Sequence, residues 1–305
     1  MKRLPNLKLS IGSILLFFFI FIAIFGPRFA PYDVDFSNPV KWVQTDEGEQ
    51  LRGSPFPPSK ENLFGTDKWG FDILTLMLHG ARYTVFAAIG IALVRVIIGA
   101  SLGMYRGLQS KEVKKKPKVT VLSGIPPFLL VFFVMVGISI QSSLDTMTLI
   151  YLQSVLMIIV GIPGVHESMC ARTIEIVKLP FVVASQTVGG SRLHILKEHI
   201  LPMMTGSIVL TFVNEVILVL NLIGQLAIFD LFFGGTELQI SPTIYLSITN
   251  EWAGLIAHSR MNFYFTKWVV LFPLMGYLLY LFSFYLLLIG IKEMQRGKYR
   301  SQAYL

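Results

Sequence analysis

Long apolar segments alternate with short polar segments along most of this chain. A helix that crosses a bilayer needs about 17 to 25 predominantly apolar residues. The segments that satisfy this requirement are residues 10–26, 83–105, 119–140, 147–163, 205–232 and 267–291. The pattern therefore predicts an all-α, polytopic membrane protein with six transmembrane helices.

The first apolar segment has two interpretations. Lys2, Arg3 and Lys8 precede it, as basic residues precede the apolar region of a secretory signal peptide. However, the residues that follow it, Pro27-Arg28-Phe29-Ala30, lack the small-x-small pattern of a cleavage site. We therefore expect an uncleaved membrane anchor.

Basic residues indicate the orientation of the spans, because short cytoplasmic loops of membrane proteins are enriched in lysine and arginine. Placing both termini in the cytoplasm puts most of the basic residues on that side. They are Lys2, Arg3, Lys8, Arg106, Lys111, Lys114, Lys115, Lys116, Lys118, Arg172, Lys178, Arg192, Lys197, Lys292, Arg296, Lys298 and Arg300. The sequence thus predicts that both termini are cytoplasmic.

Composition and motifs support a membrane protein and argue against a soluble domain, a nucleic-acid-binding protein and a P-loop nucleotide hydrolase. The 305 residues are 53% hydrophobic and only 14% charged, against about 25% charged in soluble domains. The net charge of +8 does not indicate nucleic-acid binding, because the basic residues lie in short loops and tails beside apolar spans, where they set the topology. Membrane lipid rather than nucleic acid is therefore an expected partner. The chain contains no G-x-x-x-x-G-K-[ST] phosphate loop, so it cannot hydrolyse a nucleotide by that route.

A segment of about forty residues between the fourth and fifth spans, 164–204, contains helix-boundary signals. Pro180 can occupy the first turn of a helix, and Gly189-Gly190 can end it in the left-handed region. Ser191 can cap a second helix, and Pro202 can begin the next apolar segment. The pattern predicts two short helices around a glycine turn, and Phe181, Val182, Val183 and Val188 would form the apolar side of the first. Such helices can dock on a partner protein or lie on lipid.

Two charged residues lie near the middle of predicted spans. Arg95 lies near the middle of the second span and Glu215 near the middle of the fifth. A charge at the centre of a membrane helix costs about 2.5–3.5 kcal/mol on insertion scales, so each should face the bundle or a wet path. They could pair with each other, extend toward the membrane surface, or face a partner subunit. Asn214 and Asn221 could line a polar path or hydrogen-bond between helices.

No residue set nominates catalysis or metal binding. His194 and His199 are five residues apart, which in an α-helix places them on different faces, so we predict no metal site there. The single cysteine, Cys170, excludes an internal disulfide framework and is expected to be a small packing residue. We find no set of nucleophile, base and orienting group.

Several motifs resemble those of binding-protein-dependent ABC importer permeases of the dipeptide, oligopeptide and nickel type. Val183-Ala184-Ser185, Gly189 and Ile200-Leu201-Pro202 resemble that family's coupling motif, E-A-A-x-x-x-G followed by I-L-P. The C-type permease subunit of peptide importers has the signature G-T-D-x-x-G-R-D before its second span. This chain matches it upstream at Gly65, Thr66, Asp67, Gly70 and Asp72. Glu251-Trp252-Ala253-Gly254 and Trp268 to Pro273 resemble two further landmarks of the family.

The resemblance implies an ABC type I importer permease fold. Residues 1–82 would be the anchor and a long extracytoplasmic segment, 83–291 the permease domain with its coupling loop at 164–204, and 292–305 a basic cytosolic tail. The implied partners are a homologous second permease, ATPase subunits that use ATP, and an extracytoplasmic solute-binding protein, with no cofactor bound by this chain. The implied function is passage of short peptides through a prokaryotic inner membrane. Import of nickel or another small solute, or a divergent regulatory role, is the alternative.

Departures from the family pattern fall in the two most specific motifs. The family's glutamate is Val183, its second alanine is Ser185, and the arginine of G-R-D is Phe71. In the family, the acidic residue helps to hold the coupling helices in the groove of the ATPase. The resemblance therefore predicts docking through Phe181, Val183, Ala184, Ser185, Gly189, Gly190, Ile200, Leu201 and Pro202 in which apolar contact replaces a charge.

Overall fold

The chain folds mainly into helices, with two short β-hairpins in the connecting segments. A computed structural model describes residues 6–45, 48–109, 124–240 and 243–302. Its helices are α1 (Leu7–Phe29), α2 (Ile73–Gln109), α3 (Pro127–Ser139), α4 (Thr146–Val177), α5 (Pro180–Thr187), α6 (Arg192–Ile195), α7 (Leu201–Ile228), α8 (Trp252–His258) and α9 (Lys267–Gln302). The strands β1 (Val40–Thr45) and β2 (Gly48–Gly53) form one antiparallel hairpin, and β3 (Thr236–Ile240) and β4 (Thr243–Ser247) form the other.

Among the described residues, five helices are long and apolar enough to cross a membrane, namely α1, α2, α4, α9 and the continuous helix Arg192–Ile228. The third predicted span, 119–140, corresponds to α3, whose 13 residues extend about 20 Å at 1.5 Å per residue. That length is shorter than the hydrocarbon core of about 30 Å. Residues 1–5 and 110–123, which include Lys2, Arg3, Lys111, Lys114, Lys115, Lys116 and Lys118, lie outside the described residues.

The two ends of the bundle differ. At one end, which carries both hairpins, Trp268 Nε1 donates to the carbonyl of Thr66 at 3.3 Å, and Ile140 forms a bridge with Thr236. At the opposite end, Lys8 pairs with Glu293, and α5 packs near the start of α7. We call these the hairpin end and the α5 end. The hairpins were not predicted from the sequence.

Helix α4 continues to Val177, so the prediction that a loop begins at residue 164 is wrong. The reason is close packing against a glycine stripe on α2. A Cβ atom at Gly99 would lie 2.7 Å from Val165, and one at Gly103 would lie 2.6 Å from the carbonyl of His166. Small residues spaced four apart let helix backbones approach closely, which holds α4 helical through Pro163 and beyond.

Pro202 lies in the first turn of α7, where the next apolar segment begins as predicted, but no break in the helix precedes it. A π-helical turn, Leu196–Ile200, joins α6 to α7 without a break, and the N–H of Leu201 donates to the carbonyl of Leu196. A proline inside an α-helix clashes with the carbonyl four residues earlier. The wider π turn immediately before Pro202 relieves that conflict, so the chain stays helical from Arg192 to Ile228.

Helices α2 and α9 also differ from their predicted bounds. α2 begins at Ile73 rather than at residue 83, because Asp72 supplies a cap: its Oδ2 accepts hydrogen bonds from the N–H and the hydroxyl of Thr75, both at 2.8 Å. α9 continues to Gln302, so the predicted tail, 292–305, is helical over its described part.

Candidate functional site

Helix α5 projects from the α5 end with one residue anchoring it. Val182 is fully buried, whereas Phe181, Val183 and Ala184 are exposed and Ser185 is half-buried. The four apolar residues predicted to share one side of this helix therefore do not all share it, because Val182 faces the core and the other three are exposed. Val188, at the end of the helix, is 89% exposed. An apolar surface that is rooted in the core but uncovered is typical of an interaction site.

A glycine turn ends α5 as the sequence predicts. Gly189 has a φ of +93°, which favours glycine, and the N–H of Gly190 donates to the carbonyl of Ser185 at 2.9 Å. A Cβ atom at Gly190 would lie 2.7 Å from that same carbonyl. Ser191 then caps α6 by accepting a hydrogen bond from the N–H of His194 at 3.2 Å. The turn fixes the direction in which α5 points.

A small apolar cluster connects α5 to the membrane helices. The cluster contains Val182, Ile195 and Ile200 with Met104 of α2 and Met204 of α7. Val182 and Ile200 are fully buried in it. Leu201 and Pro202 are exposed at the start of α7. Of the residues carried over from the coupling motif, Ile200 is thus part of the cluster, while Leu201 and Pro202 lie on the surface. Movement of α5 would be transmitted to α2 and α7 through this packing.

The prediction that His194 and His199 lie on different faces is wrong. Their ring centroids are 5.9 Å apart in an edge-to-face arrangement, and His199 also contacts Phe181. The π turn that begins at Leu196 explains this, because a wider turn brings residues five apart onto one side of the helix. Within the described residues, no group of three or more His, Cys, Asp or Glu side chains could hold a metal ion.

Arg95 and Glu215, which the sequence placed at similar depth, form a buried ion pair. Arg95 Nη1 lies 3.0 Å from Glu215 Oε2, and the two side chains are 4% and 8% exposed. Arg95 also donates from Nε and Nη2 to the carbonyl of Met157, at 3.0 and 2.6 Å. One guanidinium therefore connects α2, α4 and α7 inside the bundle.

Gly161 makes room for this arrangement. A Cβ atom at that position would lie 2.1 to 2.5 Å from the guanidinium and side chain of Arg95. Only glycine lets the arginine cross the surface of α4 to reach the Met157 carbonyl. The pair is consequently a structural link between helices, and it lies apart from the exposed face of α7.

Asn214 and Asn221 lie on the exposed face of α7. Positions 207, 211, 214, 218, 221, 225 and 228 recur every three or four residues and share that face. Its polar members are Ser207, Thr211, Asn214, Asn221 and Gln225, which we call the α7 polar stripe. The serine, threonine and glutamine were not predicted as site residues, although their helical spacing with the asparagines is visible in the sequence.

A cavity of about 390 Å³ continues from the stripe toward the hairpin end. Asn221, Gln225 and Arg260 line it together with apolar residues of α8 and α9. Arg260 donates to the carbonyl of Ile228 at 3.0 Å and pairs with Asp230 at 3.1 Å, which fixes its position. Polar groups that face outward from a membrane helix require a wet or proteinaceous environment, so this face is unsuited to lipid.

The residues of the G-T-D signature form a folded turn at the hairpin end. Asp67 is buried and accepts hydrogen bonds from the N–H groups of Trp69 and Phe71, both at 2.9 Å. Gly65 and Gly70 have φ values of +76° and +87°, and a Cβ atom at Gly70 would clash with Asn38. Burial raises the pKa of Asp67 to about 6. The Oγ1 atom of Thr66 accepts a hydrogen bond from the N–H of Phe56 at 2.8 Å. These contacts position the start of α2.

Glu251 and Trp252 attach α8 to α2. The N–H of Trp252 donates to Thr84 Oγ1 at 3.0 Å, and its indole N–H donates to the Met77 carbonyl at 2.9 Å. Glu251 is fully buried and caps α8 by accepting a hydrogen bond from the N–H of Ala253 at 2.8 Å. Burial raises the pKa of Glu251 to about 7. Its Oε1 atom has no hydrogen-bond partner in the described part of the chain.

Replacing Glu251 with glutamine is expected to stabilise the protein at pH 8 and to have little effect at pH 4.5. The folded state favours protonated Glu251, so its contribution is present below the ordinary value of 4.5 and is lost as the pH rises through 7. The shift corresponds to about 3 kcal/mol. Thermal unfolding of both proteins in detergent from pH 4.5 to 8 measures it. A difference in melting temperature that does not change with pH would contradict the assignment.

Peptide transport permeases are among the proteins that are similar to this chain. The chain is 29% identical over 215 residues to the oligopeptide transport system permease protein OppC of Bacillus subtilis, a match covering 69% of this chain and 64% of that protein. It is 26% identical over 213 residues to the dipeptide transport system permease protein DppC of the same organism, covering 68% and 60%. No protein-family model matches the chain.

A longer match extends over nearly the whole sequence. The chain is 24% identical over 310 aligned positions to the dipeptide transport system permease protein DppC of Alkalihalophilus pseudofirmus, covering 98% of this chain and 89% of that protein. Matches to the two Bacillus subtilis proteins span less than two thirds of their length. These similarities confirm the resemblance that the motifs indicated. Together with the long apolar helices in the described part of the chain, they identify a multi-pass membrane protein.

Proposed function

We propose that this chain is a permease subunit of an ATP-binding-cassette importer and forms a path for short peptides with a second permease. The observation that carries the proposal is its similarity to oligopeptide and dipeptide transport permeases. In this arrangement α3 lies within a sixth span, both termini lie in the cytoplasm of a prokaryotic cell, and the hairpin end faces outward. The chain itself performs no catalysis.

The α7 polar stripe supports a path shared between two permeases. Hydrated peptides need polar partners while they cross, and the stripe with its adjoining cavity provides amide and hydroxyl groups along one face. The opposite face of α7, which includes Val216 and Leu220, is fully buried in the chain's own core. The stripe therefore remains available to a partner subunit or to water.

Helix α5 and the glycine turn support docking on an ATPase. Energy from ATP hydrolysis has to reach the spans through a rigid contact. Val182 and Ile200 provide one, because they are buried in the apolar cluster that α5 shares with α2 and α7. The exposed residues Phe181, Ala184 and Val188 recur at helical spacing and would enter the ATPase surface. A solute-binding protein would approach the hairpin end.

Uptake of a labelled dipeptide and a labelled oligopeptide by cells lacking this chain tests the function. We expect uptake to be lost on deletion, to return with the wild-type chain, and to require ATP rather than an ion gradient. Uptake of labelled nickel in the same cells separates the peptide assignment from the import of another solute. Unchanged peptide uptake after deletion would contradict the proposal.

Replacing Val183 with glutamate is expected to leave peptide uptake at least as fast as in the wild type. Val183 is exposed, and a carboxylate near the start of a helix interacts favourably with its dipole, so the substitution does not disturb α5. It also restores the acidic residue of the family's motif. Uptake rates of the two proteins at equal membrane abundance measure the effect. A lower rate would show that the docked α5 departs from the family's arrangement.

A further inference from the structure

A groove on the surface of the bundle lies between α1, α2 and α4, away from α5 and the α7 polar stripe. We call it the α1–α2–α4 groove; its volume is about 760 Å³. Its walls are mainly apolar, with Ala23, Phe86, Gly90 and Ile158 among the lining residues. The volume lies within the range of about 300–1,000 Å³ that is typical of small-molecule sites.

Two arginines line the groove at the hairpin end. Arg28 is next to the last residue of α1, and Arg82 lies near the start of α2; both are exposed. Within the described part of the chain, neither forms an ion pair, and Arg28 lies over the ring of Phe25 at 5.9 Å. Two guanidinium groups at the mouth of an apolar groove suit a ligand with a phosphate head and a hydrocarbon tail.

The length of the groove along α2 indicates that its occupant is a hydrocarbon chain of one leaflet. Val94 lines its inner end and is twelve residues from Arg82 along α2, which corresponds to about 18 Å at 1.5 Å per residue. One leaflet of hydrocarbon is about 15 Å deep, half of the core of about 30 Å. A transmembrane helix of another subunit would need a furrow along the whole bundle. The groove fits a chain that crosses one leaflet only.

We propose that the α1–α2–α4 groove binds one membrane phospholipid from the leaflet at the hairpin end. The phosphate lies at Arg28 and Arg82, and an acyl chain fills the groove as far as Val94. Tyr83 and Tyr151, which also line the groove, contribute rings that suit the boundary between headgroups and hydrocarbon. The proposal does not depend on the solute that the protein transports.

Gly90 offers a direct way to block the groove. A Cβ atom at Gly90 would have no atom within 4 Å, so Gly90→Leu fills open space in the groove without disturbing the protein. Gly137, on α3, is likewise open but does not line the groove, and Gly137→Leu is the matched control. Arg28→Gln and Arg82→Gln test the phosphate contact, with Arg52→Gln on β2 as their control.

Native mass spectrometry tests the proposal on the chain extracted with its bound subunits, delipidated and then incubated with palmitoyl-oleoyl phosphatidylglycerol. We expect one retained lipid per chain in the wild type and in both controls. Gly90→Leu and each arginine variant should bind about tenfold more weakly, as expected for the loss of a charge-assisted contact or of the cavity. Inorganic phosphate in excess should not displace the lipid.

Equal lipid retention in Gly90→Leu and Gly137→Leu would overturn the proposal, as would full displacement by inorganic phosphate, which would indicate a simple anion site. A helix of a partner subunit cross-linked within the groove at Ser154→Cys would also overturn it. If Gly90→Leu fails to accumulate, the surface variants Arg28→Gln and Arg82→Gln decide the outcome by the same measurement.

Discussion

Replacing Glu215 with alanine is expected to destabilise the folded chain by about 3–5 kcal/mol, because it leaves Arg95 charged and buried without a partner. Arg95 would keep its hydrogen bonds to the Met157 carbonyl, but these do not neutralise a charge. The chain should therefore accumulate poorly in membranes and melt at a lower temperature in detergent. Quantitative immunoblotting and thermal unfolding measure both effects.

A double-mutant cycle separates the pair from its surroundings. Arg95→Met with Glu215→Leu should cost much less than the sum of the single substitutions, since replacing a buried pair with apolar groups is often nearly neutral. Exchanging the two charges should restore only part of the stability, because a glutamate at position 95 cannot donate to the Met157 carbonyl. Single substitutions that each cost less than about 0.5 kcal/mol would show that the contact is unimportant.

Replacing Val188 with aspartate is expected to reduce peptide uptake at least tenfold while leaving the chain stable. Val188 is 89% exposed, and surface substitutions usually change stability by less than about 0.5 kcal/mol. Docking on an ATPase would bury the new carboxylate in an apolar contact, which costs more than 1.4 kcal/mol and hence a factor of ten in affinity. Uptake normalised to the amount of chain in the membrane measures the effect.

Ile240→Asp at the hairpin end is the matched control. Ile240 is also an exposed apolar residue, at 76%, but it lies on β3 at the hairpin end, which is opposite to the α5 end. Its substitution should leave the association with the ATPase unchanged. Equal ATPase binding by Val188→Asp and the wild type would contradict the docking role of α5.

Local signals predicted the glycine turn well. Pro180 begins α5, Gly189 adopts a positive φ, and Ser191 caps α6, as the residue types indicated. These features depend on the backbone preferences of single residues and on hydrogen bonds within four positions. No information about distant parts of the chain is needed to predict them.

Features that depend on a distant partner could not be predicted in the same way. α4 passes Pro163 because α2 presents Gly99 and Gly103 to it, and a single sequence does not reveal which helix will face that stripe. The π turn, which brings His194 beside His199, adjusts the chain to Pro202 in three dimensions.

The sequence predicted that Arg95 and Glu215 lie at similar depths in the membrane. It did not predict the direction in which each side chain points from its helix. The structure makes them face each other because Gly161 leaves space beside α4. The hairpin β1–β2 was not predicted, because charged and polar residues such as Lys41 and Gln44 interrupt the alternation of apolar and polar residues that is typical of a strand. In each case, packing rather than local preference determined the outcome.

Cross-linking from α5 tests the central claim most directly, namely that this chain is a permease driven by a separate ATPase. The single cysteine, Cys170, is replaced with serine, and Val188→Cys or Ile240→Cys is introduced. A cysteine-to-lysine reagent is then applied to membranes containing the assembled complex. We expect Val188→Cys to link to the ATPase subunit and Ile240→Cys not to link to it. An ATPase that co-purifies with the chain but never links to position 188, while peptide uptake persists, would contradict the account.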